Sequence, residues 1–113
     1  MPAPKLYTIG EQTQVSDATT TAIATDPKAD DVYEALIWRL AHDPECGTRF
    51  VSADDTESRL VFIPSLRHKM NPALLAKYRF LPEEEKIWID WVEFYPYDEA
   101  QAIDPPKAFD LHR

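Results

Sequence analysis

The chain has one cysteine, two glycines and no long apolar run, and each shortage removes a class of function. A lone Cys46 excludes an internal disulfide and any cysteine-cluster metal site. Its neighbours Asp43 and Glu45 offer it no activating cation, so it reads as an inert thiol. Two glycines against ten prolines make the connections stiff and leave no material for a glycine-rich phosphate loop or a glycine-hinged lid. No stretch approaches the length of a membrane span, and residues 1–14 hold no apolar run long enough for a signal peptide. The expectation is a cytoplasmic protein with no membrane partner. His42, His68 and His112 are spread along the chain in no recognisable ligand spacing, so neither a metal nor a cofactor is expected. Basic residues are also scarce, 12 against 20 acidic ones.

What remains is enough for one folded domain. With 113 residues, 44% of them hydrophobic, and three tryptophans, the chain can bury a single core. Its charge is unevenly placed. Residues 59–79 carry Arg59, Arg67, Lys69, Lys77 and Arg79 with no acidic residue, while the rest of the chain holds seven basic and all 20 acidic residues. Residues 96–113 form an acidic, proline-rich tail, with Ile103, Phe109 and Leu111 as candidate anchors.

Residues 74–95 read as a β-hairpin, two aromatic and β-branched runs around the polar turn that opens at Pro82. A four-residue loop over 83–86 would set Arg79 opposite Asp90, Tyr78 opposite Trp91 and Phe80 opposite Ile89, with apolar pairs on one face and an ion pair on the other. Earlier in the chain, residues 5–9 are a candidate strand, and residues 11–25 a weak helix or loop that Ser16 and Asp17 would cap. Asp26-Pro27 opens a strong helix in which Val32, Leu36 and Leu40 recur every four residues beside Tyr33, Ile37 and Ala41. It ends at His42-Asp43-Pro44, with Gly47 in the turn that follows. Short extended pieces at 49–51 and 59–63 come next, then a loop between Pro64 and Pro72 that holds Arg67, His68 and Lys69. This order gives an α+β fold, a small single domain with two helices on one face of an antiparallel β-sheet.

Two residue groups carry chemistry. Arg67, His68 and Lys69, with Arg59, Lys77 and Arg79, could hold a phosphodiester, His68 or Tyr78 moving the proton while arginines meet the developing charge. The competing reading is a solvated loop plus an Arg79–Asp90 pair. The second group is aromatic: Tyr78, Phe80, Trp88, Trp91, Phe94 and Tyr95 read as packing rather than as stacking platforms for bases, and Trp38 reads the same way.

The string YEALIWRLAHDPECG over residues 33–47, followed by KYRF, an acidic turn and IWIDWVEF, resembles the RelE/ParE toxin superfamily over about residues 30–95. The resemblance implies a small toxin-antitoxin protein, a ribosome-dependent, metal-independent mRNA endoribonuclease or an inactive relative. RNA or the ribosome and a cognate antitoxin protein would be its partners. By position the resemblance matches Arg59, Lys77 and Arg79 to the basic residues of the family's sheet, while Arg67, His68 and Lys69 fall in a variable connection. The residue chemistry itself makes Arg67, His68, Tyr78 and Arg79 the catalytic candidates and Arg59, Lys69 and Lys77 the nucleic-acid contacts. The alternative is a non-catalytic protein interaction module, its own copy included, supported by aromatic residues on both faces of residues 87–95.

Overall fold

The computed structural model describes residues 7–104. The elements are β1 (Thr8–Glu11), α1 (Thr13–Thr25), α2 (Lys28–His42), β2 (Thr48–Val51), β3 (Glu57–Ile63), β4 (Ala73–Leu81) and β5 (Lys86–Tyr95). The five strands form one sheet in the order β1-β5-β4-β3-β2, with both helices packed against it. The fold is α+β as the pattern predicts, with one correction: the sheet is mixed, because β1 runs parallel to β5 while the other neighbours are antiparallel. Two helices separate β1 from the rest, and such a crossover returns the chain in either direction.

α2 follows its pattern closely. Asp26 accepts a hydrogen bond from the Lys28 amide at 3.0 Å, and Ala29, Val32, Leu36 and Leu40 form its buried stripe. Trp38 departs from the packing expected of it: it lies on the solvent side, 65% exposed, stacked on His42 at 4.1 Å. α1 is a full helix of 13 residues, and its cap is not Ser16 or Asp17. Gln12 precedes it without a side-chain cap bond, and the Ser16 hydroxyl donates back to Glu11 at 2.6 Å. Burial of Val15 and Thr19 against the sheet outweighs the poor intrinsic propensity of a threonine-rich run. Of the strand expected over 5–9, Thr8 and Ile9 lie in β1, which runs on to Glu11, and Tyr7 precedes it; Lys5 and Leu6 lie outside the described residues, as do Phe109, Leu111 and His112.

The hairpin forms in a different register. Residues 82–85 make the connection, a short 3-10 turn ending at Glu85 with φ 54°, so Leu81 pairs with Lys86, Phe80 with Ile87, Arg79 with Trp88 and Tyr78 with Ile89. A bulge then makes Asp90 the extra residue, and Lys77 pairs with Trp91. The bulge re-phases β5: Ile87 and Ile89 face the helices before it, Val92 and Phe94 after it. Without that extra residue one half of the strand would turn its apolar side to solvent.

Between the helices and the sheet lies the core, Val15, Val32, Leu36, Leu40, Val61, Leu74, Ala76, Tyr78, Ile87, Ile89 and Val92. No helix among the described residues is long and apolar enough to cross a membrane.

Candidate functional site

Alternation along the strands assigns the remaining side chains to the face that the helices leave open. Thr48, Leu60, Lys77 and Trp91 form one cross-strand row, Phe62, Leu75 and Glu93 a second, and Arg79, Trp88 and Gly10 a third. Phe62 is 51% exposed and Leu60 is also exposed, while Phe50, Leu75, Trp88 and Trp91 are half-buried. Gly10 is required here by close approach, since a Cβ would sit 2.4 Å from the Trp88 ring. The Lys86 ammonium lies 4.7 Å from the same ring and Lys77 5.9 Å from Phe50, so both cations rest on aromatic faces.

A polar pocket of about 540 Å³ opens where the β2–β3 loop bends over this face, lined by Asp54, Ser58, Lys77, Arg79 and Asp90 among others. Arg79 donates two hydrogen bonds to Asp90, at 2.8 and 2.9 Å, and this bond holds its guanidinium above the ordinary pKa. The pair expected across the hairpin therefore forms, although Asp90 reaches Arg79 from the bulge rather than from the position opposite. Asp54 is held below the usual carboxylate range by bonds from Thr56, with Lys77 adding attraction. Two cations face two carboxylates, so the pocket offers an anion no unbalanced positive charge.

The residues expected to cooperate in catalysis occupy three separate settings. Tyr78 lies on the helix side and is fully buried. Its hydroxyl donates to the Pro44 carbonyl at 2.8 Å and accepts from the Gly47 amide at 2.9 Å, and burial pushes its pKa well above the ordinary phenol value. Arg59 reinforces the same knot by donating to the carbonyls of Glu45 and Gly47. Gly47 permits it: a Cβ there would lie 2.8 Å from both the Leu60 carbonyl and the Tyr78 hydroxyl. Arg79 points to the opposite face. Arg67 is bound to the chain beyond β5, donating to the Asp104 carboxylate and to the carbonyls of Glu99 and Ala102, while Leu66 and Ile103 form a bridge beside it. His68 and Lys69 are exposed in that turn, where the Lys69 carbonyl accepts from Lys28. The locally basic segment thus divides between two sheet faces and a loop.

A second cavity was not foreseen. A groove of about 980 Å³ runs between α1 and the far half of β5, lined by Gln14, Asp17, Asp26, Glu93, Phe94 and Tyr97 among others. Its sequence signal is the mismatch between a four-residue β1 and a ten-residue β5, which becomes visible only when their pairing is known.

Comparison with known proteins returns no matching family model, no matching curated protein and no matching solved structure.

Proposed function

We propose that this chain is a non-catalytic protein interaction module that associates with a second copy of itself through the open face of its sheet. The observation that carries this reading is the exposure of Leu60 and Phe62 beside half-buried Phe50, Leu75, Trp88 and Trp91, on a face that no helix among the described residues covers. A one-sided sheet in contact with water ordinarily alternates apolar and polar residues; here the outward side is itself apolar at its centre. Lys77 and Glu93 flank Leu75 on this face, so a copy turned about a two-fold axis brings the lysine of one towards the glutamate of the other. Strands of four to ten residues at about 3.3 Å by 4.8 Å per residue cover about 540 Å² of sheet, the larger part of the roughly 800 Å² per partner of a stable interface.

Sedimentation over a concentration series tests the reading. A reversible dimer that Phe62→Glu converts to a monomer with an unchanged circular dichroism spectrum is the expected result. A chain that stays monomeric to about 100 μM, weaker than a specific dimer of this area, removes it. The endoribonuclease suggested by resemblance makes a different prediction: salt-sensitive RNA binding that is lost when Lys77 and Arg79 are replaced by alanine, and ribosome-dependent mRNA cleavage.

A further inference from the structure

β5 continues beyond its partner. β1 ends opposite Ile89, and among the described residues no strand lies beside 90–95 on that side. An uncovered strand edge presents unpaired N–H and C=O groups, and a folded chain normally blunts it. Here one side chain does part of that work. The Gln14 amide accepts from the Val92 N–H and donates to the Val92 carbonyl, both at 3.2 Å, the same two-bond exchange that a neighbouring strand would make. Successive residues of a strand send their polar groups to alternate edges, so Phe94, two positions further, presents its N–H and C=O to the same side. There the groove of about 980 Å³ opens against α1.

The lining has a definite chemistry. It is mostly apolar and includes Phe94, Tyr95 and Tyr97, and its charged members are Asp17, Asp26 and Glu93, with no lysine, arginine or histidine. Asp17 has no hydrogen-bond or ion-pair partner among the described residues, whereas Asp26 caps α2 and Glu93 accepts from Tyr95. An acidic and aromatic trough beside a free strand edge suits one kind of occupant. We infer that the groove binds an extended basic segment of another polypeptide, which adds to β5 as a strand at Phe94. Its alternate apolar side chains would enter the groove on the α1 side, and its lysine or arginine side chains, on the other face of the added strand, would meet Glu93. The Gln14 amide would stay as the strand mimic at Val92 or give way to the incoming backbone. The site is centred on the edge of the sheet and shares only Trp91 and Glu93 with the dimer proposed above, and Phe62→Glu separates the two.

The test uses an acetylated hexapeptide alternating lysine and valine, the same peptide N-methylated at alternate residues, and its glutamate counterpart, each titrated into the full chain and followed by amide NMR. The expected result is binding of the lysine peptide with slowed exchange at the Phe94 amide, at least ten-fold weaker binding of the N-methylated form, and none of the acidic one. Ala22→Trp, which fills the groove from α1, should abolish binding, Glu93→Gln should weaken it several-fold, and Phe62→Glu should leave it unchanged. Equal affinity for the N-methylated peptide would mean mere charge attraction to an acidic protein and would overturn the inference. No binding at about 1 mM, the weak limit of a useful contact, would overturn it too. So would a response to Ala22→Trp in self-association alone, which would make the groove a contact between copies.

Discussion

Tyr78 and Arg79 are adjacent in the chain and differ in almost everything that the fold decides. Tyr78 enters the helix-covered face, loses all contact with water and ties the turn after α2 to the sheet. Arg79 enters the open face, pairs with Asp90 and stays partly solvated. The first face is close-packed and binds the Tyr78 hydroxyl to backbone; the second is an apolar patch with balanced charges at its rim. Stability is concentrated on one side of the sheet and the capacity for association on the other.

This contrast predicts graded effects. Leu36→Ala, on the covered face, should cost about 3 kcal/mol as lost burial plus a cavity, read by urea unfolding. A loss under about 1 kcal/mol would mean that the helices are not the main support of the sheet. Tyr78→Phe should cost about 1–3 kcal/mol, because the Gly47 amide and Pro44 carbonyl lose a buried partner. It should also change the response to alkali. Tyr78 is held protonated in the fold, whereas an unfolded tyrosine ionises near pH 10. Its contribution to stability is therefore fully present below about pH 10 and is lost as pH rises through the higher folded value, at up to about 1.4 kcal/mol per pH unit. The variant should lack that part of the slope, measured as unfolding midpoint between neutral and strongly alkaline pH. On the open face, Asp90→Asn should cost only about 1 kcal/mol, since a bidentate but partly solvated pair contributes little and the bulge can persist. Phe62→Glu should change stability by less than about 0.5 kcal/mol while removing the dimer.

The parts of the fold carried by short-range pattern were legible. The apolar repeat Val32, Leu36, Leu40, the Asp26-Pro27 start and the run of β-branched and aromatic residues at 87–95 each announce their element. The register of the hairpin was not, because the connection closes one residue earlier than expected, at 82–85, which moves each pair next to the turn by two. The extra residue at Asp90 then moves the later pairs back by one, and nothing in the local composition marks either. α1 was hard to read because its threonines argue against helix and only tertiary burial of Val15 and Thr19 reverses that preference. The expected catalytic group failed to assemble for a related reason. Arg67, Tyr78 and Arg79 are near in sequence, but strand alternation sends Tyr78 and Arg79 to opposite faces, and the chain beyond β5 returns to occupy Arg67.

By itself, the sequence determined α2, the two strands of the hairpin and β3 to within a few residues, the pairing of Asp90 with Arg79, and that no internal disulfide could form. These follow from hydrophobic period, capping chemistry and residue count. Only the tertiary structure decided that β1 stops short of the end of β5, that Gln14 takes the place of a strand beside Val92, and that no described helix covers one face of the sheet. Each of these depends on which distant segments lie side by side, and the contacts that choose them join residues as far apart as Gln14 and Val92, a separation at which no local pattern carries information.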